Sequence, residues 1–482
     1  MRRAKIVATL GPATSTYETV RALIDAGVDV ARLNLSHGDY SVHENNYANV
    51  RRAADDSGRA VAVLVDLQGP KIRLGKFADG PHELAEGDIF KITTEDILGT
   101  KEICGTTFKG LPQDVKAGDF LLIDDGKVRV EVVDTDGTVV TTRVVVAGTV
   151  SNNKGINLPG VAVSVPALSE KDEDDLRWGL RIGADLIALS FVRDAADVSR
   201  VHEIMAEEGV RIPVIAKVEK PQAVDNLEEI VDAFDGIMVA RGDLGVELPL
   251  EAVPIVQKQA VELARRMAKP VIVATQMLES MISSPVPTRA ETSDVANAVL
   301  DGADAVMLSG ETSVGEYPVI VVETMARIIE STEDHGLERI HPLTTKPRTQ
   351  GGAITLAALE VAEFVEAKFL CVFTQSGDSA RRLSRLRSRI PMLAYTPDPA
   401  IRRRLAASWG IRSTLVDFVP HTDMMFHQVD EHLLGTGLAA VGDKVVVISG
   451  SPPGIIGSTN DVRIHRVGDT VHGAAPAYQP SK

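Results

Sequence analysis

The stretch DLQGPKIR, residues 66–73, follows the apolar run VAVLV and sets a carboxylate, a Gly-Pro turn, a lysine and an arginine within eight residues. A buried strand that ends in that much charge points to chemistry at its end. Further along, AKVEK holds Lys217 and Glu219 two residues apart, and ARGDLG adds Asp243. Residues two apart in a strand share a side, so Lys217 and Glu219 can enter one site together. Two carboxylates with oxygen donors only, and no His/Cys cluster beside them, suit Mg²⁺ or Mn²⁺ rather than zinc. Arg32 and Arg73 offer planar forks to phosphate oxygens. A hard cation, a lysine and two arginines describe phosphoryl transfer, where positioning and charge neutralisation dominate.

Each motif alone has a plainer reading. Lys-x-Glu is usually a structural ion pair, Arg32 could pair with Asp29, RGD triplets occur in turns by chance, and His37 is more often structural than catalytic. Their concurrence depends on what positions them. Eight short β-branched runs recur between helical patterns: KIVATL (5–10), VDVARLN (28–34), VAVLVD (61–66), DLIALSF (185–191), PVIAKVE (213–219), GIMVAR (236–241), PVIVATQ (270–276) and DAVMLS (304–309). Eight successive βα units predict a (β/α)8 TIM barrel in the α/β class, an open doubly wound sheet being the rival. Barrel sites lie at the C-terminal strand ends. Read in order, those ends supply Arg32, Asn34, Ser36 and His37; Asp66, Lys71 and Arg73; Ser190 and Phe191; Lys217 and Glu219; Arg241 and Asp243; Thr275 and Gln276; Ser309 and Glu311.

Two regions break the βα rhythm. AEGD, KAGD, DDGK and TDGT punctuate short alternating strands between the third and fourth βα units, which predicts an inserted β-rich lid over 70–166. The barrel then comprises 1–69 and 167–335. STEDHGLERIHPLTTKPRTQ (331–350) reads as a linker. Beyond it FLCVFT, MLAYT, TLVDF and KVVVISG alternate with helical runs, giving a C-terminal α/β domain over 350–470, with 471–482 as a disordered tail.

Composition narrows the partners. The 482 residues carry 67 acidic against 51 basic side chains, a formal charge of −16, which argues against nucleic acid. Cys104 and Cys371 form no framework, and a reducing cytoplasm is expected. The N-terminus lacks a signal-peptide pattern, and no apolar run reaches the roughly 18 residues of a membrane span.

ARLNLSHGD, DLQGPKIR, NNKGINLPG, PALSEKD, AKVEK, ARGDLGVELP, ATQMLESM, PTRAETSDVANAVLDGADAVMLSGET and TQSGD together resemble the pyruvate kinase family, from about residue 4 to 470. The resemblance implies transfer of the phosphoryl group of phosphoenolpyruvate to ADP, giving pyruvate and ATP, by a barrel with an inserted lid, usually as a homotetramer. It implies Glu219 and Asp243 as ligands of Mg²⁺ or Mn²⁺, Lys217 at the transferring phosphoryl group and the enolate, and Arg32 and Arg73 around the phosphates. The carboxylate of the substrate would meet the amides of Gly242 and Asp243, with Thr275. His37, Arg73 and Lys154 would lie near the nucleotide, and Thr275 and Ser309 on a proton relay. Asn34, Ser36 and Asp66 match the monovalent-cation pocket. A metal-dependent pyruvate-enolate lyase or aldolase, and a catalytically dead sensor, are the rival readings. The lid with Lys154 and the doubled arginines weigh against the first, and the retained catalytic positions against the second.

Two departures from the commoner family pattern carry expectations. Many members have a glutamate where Lys71 stands, in a sequence nearer D-T-K-G-P-E-I-R, and need K⁺ beside Asp66. Here Leu67, Gln68 and Lys71 differ together. A K⁺ held about 4 Å from an ammonium would suffer roughly 4 kcal/mol of repulsion at an effective dielectric near 20, so Lys71 is expected to replace K⁺ from within. The loop of FTQSGDSARRLSRLR, with Thr374, Ser376, Gly377 and Ser379 opening a helix, suits an effector phosphate, with SPPGIIGSTN as a second wall. Gln375 and Asp378 stand where bisphosphate-regulated members carry basic residues, so AMP or a sugar monophosphate is expected.

Overall fold

Eight short strands, β1 (Lys5–Thr9), β2 (Val30–Asn34), β3 (Ala62–Asp66), β4 (Leu186–Leu189), β5 (Val214–Val218), β6 (Gly236–Ala240), β7 (Val271–Ala274) and β8 (Ala305–Leu308), form the centre of the chain. They pair in parallel and close into one barrel, so the open sheet is excluded. This computed structural model describes residues 2–161, 164 and 166–469.

The strands are apolar throughout because both their faces are covered. Their alternation sorts two sets. Val7, Val30, Ala62, Leu64, Leu186, Ala188, Ile215, Met238, Ile272, Ala274, Ala305 and Met307 cluster inside the barrel. The intervening residues, such as Ile6, Leu33, Val65, Ile187, Val218 and Val239, join the core beneath the outer helices. Continuing the inward parity past Val30, Leu64, Ala188, Ile215 and Met307 leads to Arg32, Asp66, Ser190, Lys217 and Ser309. The uppermost inward layer is therefore polar by register.

The helices are fixed by local chemistry. Ser169 caps Glu170–Ile182 in a reciprocal box with Asp172, and Thr288 caps Arg289–Asp301 in one with Glu291. Three acidic residues in the first turn of Glu170–Ile182 suit the positive end of its dipole.

The inserted region has its own core around Phe90, Ile92, Leu121 and Val130. A six-stranded sheet and a two-stranded one build it. In the C-terminal domain β9 (Phe369–Phe373), β10 (Met392–Thr396), β11 (Ile411–Leu415), β12 (Lys444–Gly450) and β13 (Thr459–Arg466) form one sheet, ordered β11-β10-β9-β12-β13. Only β13 runs antiparallel to its neighbour.

Three readings of the sequence need correction. The run TLVDF predicts a strand, but β11 begins earlier, at Ile411, after Gly410 turns the chain at φ +68. β13 was not foreseen; its polar, alternating TNDVRIHR is an edge strand with little apolar signal. The stretch 331–350 is not linker from its start, since the helix Pro318–Gly336 runs into it. Val322, Met325, Ile329 and Glu333 keep that helix's face buried, and Glu333 accepts the N–H groups of Arg3 and Ala4 at 2.8 and 2.7 Å. The expected tail, 471–482, lies outside the described residues.

The C-terminal domain is pinned to the N-terminal end of the barrel. Lys5 Nζ donates to Ile411 O at 2.8 Å, and Asp304 takes Trp409 N and the Arg387 guanidinium, each at 2.9 Å. No helix among the described residues is long and apolar enough to cross a membrane.

Candidate active site

The polar layer at the barrel mouth centres on Lys217. Its Nζ lies 2.7 Å from Ser190 Oγ, 3.4 Å from Glu219 Oε2 and 3.6 Å from Asp66 Oδ1. Ser190 in turn donates to Leu67 O at 2.8 Å. Arg32 reaches Asp66 Oδ2 through Nε at 2.7 Å and Thr9 Oγ1 through NH1 at 2.9 Å. Asp66 is 1% and Glu219 2% exposed, so these charges interact with little solvent between them.

Burial works to discharge Lys217, but Asp66, Glu219 and Asp243 outweigh it and hold the ammonium above the ordinary lysine range. Glu219 is raised, first by burial and then by Asp243, with Lys217 opposing. A buried carboxylate raised by a second one nearby is a seat for a cation. Among the described residues there is no group of three or more His, Cys, Asp or Glu placed to hold a metal. A pair of carboxylates leaves coordination positions for substrate and water, as Mg²⁺ prefers.

Backbone strain helps to aim these groups. Phe191 sits at φ +58, which points its N–H at Glu219 Oε1, 2.6 Å away. Gly69, at φ +75, is packed against this residue: a Cβ there would come within 2.4 Å of the Phe191 ring. Asp243 lies in the first turn of the helix Arg241–Glu247. Thr275, at φ +72, accepts Gly242 N on Oγ1 at 2.6 Å. Arg241 fixes that turn, donating to Thr275 O and to Asp294 Oδ1, both at 2.7 Å. Ser309 Oγ is buried without a hydrogen-bond partner, while its N–H donates to Glu311 Oε2 at 2.6 Å. Burial raises the Glu311 carboxyl.

Other residues singled out in the sequence lie apart from this cluster. Arg73 bonds Asn153 O at 3.1 Å, in the lid, and makes no bond to the Arg32 cluster. Its backbone bridges Gly155, which draws it toward the lid. Lys154 pairs with Asp124 at 3.0 Å, also within the lid. His37 is exposed, with its carbonyl accepting from His43 Nε2 at 2.8 Å. Asn34 Oδ1 accepts Ser36 N at 3.2 Å, and Asn34 stands opposite Asp66 in the strand register. Among the described residues the Lys71 side chain, expected near Asp66, makes no ion pair with it. The tight turn at Gly69, closed by Lys71 N to Gly69 O at 2.8 Å, sends its exposed side chain along Gly155. The cations that touch Asp66 are Arg32 and Lys217.

The sequence reading missed a latch between lid and barrel. Glu247, buried, accepts Lys220 Nζ at 2.6 Å and Asn157 Nδ2 at 3.1 Å. No periodicity in ARGDLGVELP marks Glu247 for this role. Ser190 was noted only as a strand end, though the parity of Leu186 and Ala188 points it inward.

In the C-terminal domain Thr374, Ser376 and Ser379 share one cavity of about 170 Å³ with Gly454, Ile455 and Thr459 of the opposite loop. Gly377 N donates to Thr374 Oγ1 at 2.9 Å, and Ser379 Oγ meets Thr459 Oγ1 at 2.5 Å.

A closed parallel barrel with a lysine, an arginine and two carboxylates at its C-terminal rim has the make-up of a phosphotransferase of the TIM-barrel class. The family described as "Pyruvate kinase, barrel domain" matches residues 1–322, and "Pyruvate kinase, alpha/beta domain" matches residues 352–465. The chain is 58% identical to a pyruvate kinase of Mycobacterium intracellulare, over 97% of this chain and 99% of that protein. It is 56% identical to the pyruvate kinase of Corynebacterium glutamicum, over 97% and 98%. A solved pyruvate kinase from Cryptosporidium parvum superposes with a TM-score of 0.91 at 36% identity, over 97% of this chain and 96% of that one. The chain belongs to the pyruvate kinase family. Its reaction is the transfer of a phosphoryl group from phosphoenolpyruvate to ADP, yielding pyruvate and ATP.

Proposed function

We propose that this chain catalyses that transfer with Mg²⁺ or Mn²⁺ on Glu219 and Asp243 and without need of K⁺. The observation that carries the proposal is the convergence of Lys217 with Ser190, Glu219 and Asp66, which Arg32 also holds. The divalent ion, when bound, supplies neutralisation of phosphoryl and enolate oxygens. Arg32 and Lys217 grip the phosphoryl group, and Gly242, Asp243 and Thr275 orient the substrate carboxylate. The terminal oxygen of ADP attacks phosphorus and enolpyruvate departs. Lys217 stabilises the charge that grows on the enolate oxygen, more in the transition state than in the substrate. The Thr275 and Ser309 hydroxyls then relay a proton to the methylene carbon; the unpartnered Ser309 Oγ supports this. His37, Arg73 and Lys154 contact the nucleotide as the lid, residues 70–166, closes over the barrel, 1–69 and 167–335, to exclude water. We further infer a cytoplasmic homotetramer.

Lys71 supports K⁺ independence from a different place than Asp66. Among the described residues its side chain makes no ion pair or hydrogen bond, and it lines the cavity that Asp243 also lines. Its ammonium is free to serve the bound substrate, while Leu67, buried where the threonine would stand, offers K⁺ no side-chain oxygen. The test is ATP formation from phosphoenolpyruvate and ADP with Mg²⁺ in tetraalkylammonium buffer. KCl at constant ionic strength is expected to add little. Activation of about tenfold or more would refute the proposal. Lys71→Glu, with Leu67→Thr if needed, is expected to create a K⁺ response.

The effector cavity of Thr374, Ser376, Gly377 and Ser379 takes a monophosphate. Its nearby Arg382 is engaged by Asp378 at 2.6 Å, which leaves a bisphosphate poorly neutralised. AMP or a sugar monophosphate is expected to lower the half-saturating phosphoenolpyruvate concentration. Strong activation by fructose 1,6-bisphosphate with none by AMP or glucose 6-phosphate contradicts this.

A further inference from the structure

The lid rests on the barrel through a carboxylate. Glu247 is buried and ends the helix Arg241–Glu247, whose first turn carries Asp243. Its Oε1 accepts Nζ of Lys220, from the barrel, at 2.6 Å and Nδ2 of Asn157, from the lid strand Ile156–Asn157, at 3.1 Å. Asp243 and Glu247 stand four positions apart, so they share one face of the helix. With Asn157, Lys220 and Phe191 they line one cavity of about 50 Å³.

Each of the two carboxylates at the mouth is one step from this junction. Lys220 directly follows Glu219, and its ammonium lies 5.0 Å from the centre of the Phe191 ring. Phe191 N–H in turn donates to Glu219. On the other side, Glu247 ends the short helix that carries Asp243. A displacement of Glu247 therefore reaches both Glu219 and Asp243. The make-up of the junction also suits repeated opening. A buried carboxylate without a counter-charge is costly, and a lysine on the lid would strand Glu247 each time the lid left. Lys220 belongs to the barrel, so its pairing with Glu247 does not depend on the lid. The lid contributes only a neutral amide. It can leave without stranding a charge, and its return adds one hydrogen bond to an ionised acceptor.

We propose that Glu247 is a positioning residue that ties the seating of the lid to the geometry of the metal pair. With Asn157 on Glu247, the helix of Asp243 and the strand end of Glu219 are held together. The divalent ion and phosphoenolpyruvate are then gripped most tightly when the lid is down. This role rests on the reading of Glu219 and Asp243 as the metal ligands. It gives seating of the lid a consequence besides the exclusion of water: binding of substrate and of metal are coupled through a residue that is not itself a ligand. By linkage, phosphoenolpyruvate tightens metal binding by the same factor as the metal tightens phosphoenolpyruvate, and the junction sets part of that factor.

The experiment is Mn²⁺ binding to the full chain, followed by the spin resonance of the free ion with and without phosphoenolpyruvate, in the absence of ADP. Asn157→Asp sets a second carboxylate against Glu247. It is expected to reduce the tightening by phosphoenolpyruvate about tenfold and to leave the Mn²⁺ affinity of the substrate-free chain unchanged. Backbone amides of the lid are expected to exchange hydrogen faster in this variant when both ligands are present. Combining Asn157→Asp with Glu247→Gln exchanges donor and acceptor at the same net charge. The double variant is expected to recover most of the coupling and of kcat/KM, and melting temperatures verify that both variants fold. Tightening in Asn157→Asp equal to that of the unmutated chain, or no recovery in the double variant, overturns the proposal while leaving the metal ligands in place. Mn²⁺ affinity retained in Asp243→Ala overturns the reading of the metal ligands, and the role of Glu247 with it.

Discussion

Lys217→Met is expected to lower kcat by about a hundred- to a thousandfold while changing the KM for phosphoenolpyruvate only a few-fold. Methionine keeps much of the length and volume of the side chain and removes its charge. The ammonium sits between Ser190, Glu219 and Asp66, aimed at the mouth rather than engaged by any one carboxylate. Its contribution grows as negative charge appears on the departing enolate, so the loss belongs to the transition state. Steady-state kinetics at saturating Mg²⁺ and ADP measure it. A defect confined to KM would mean that Lys217 only binds substrate. The variant is also expected to melt at lower temperature, because Asp66 and Glu219 lose a shared counter-charge in a buried site.

Asp243→Ala is expected to be more damaging still, costing about a thousandfold or more in turnover at ordinary Mg²⁺. Asp243 stands in the first turn of the helix Arg241–Glu247, near enough to Glu219 to raise its carboxyl. With one carboxylate left, the ion keeps too few protein oxygens and the phosphoryl group loses its neutralising partner. Binding of Mn²⁺, followed directly by its spin resonance, should weaken in parallel with activity. Asp243→Ala combined with Glu219→Gln should lose little beyond the worse single variant, since the two ligands act as a unit. Normal turnover of Asp243→Ala at low Mg²⁺ would remove both carboxylates from the metal role. Chelation of divalent ions should silence the unmutated chain and leave its fold intact, because the barrel core is apolar and does not depend on the ion.

The sequence by itself determined the barrel and the composition of its rim. Eight β-branched runs separated by helical periods admit few arrangements, and the two-residue repeat of a strand decides which side chains face inward. That is why Lys217 and Glu219 could be assigned to one mouth from AKVEK alone, and why Arg32, Asp66 and Ser309 fall in the same layer. The chain's membership of its family was legible for the same reason: its motifs are short, local and dense in charge. What only the tertiary structure decided was distance and partner. No local pattern brings Ser190 onto Lys217, turns Phe191 to φ +58 so that its N–H caps Glu219, or sets Glu247 against Lys220 and Asn157 across the lid hinge. Nor could DLQGPKIR reveal that the turn at Gly69 carries Lys71 toward Gly155 and leaves Asp66 to Arg32 and Lys217. Strand parity is a local property of the backbone and can be counted along the chain. Side-chain pairing across strands, hinges and domains depends on closure of the barrel and docking of the inserted and C-terminal domains, which join residues tens to hundreds of positions apart.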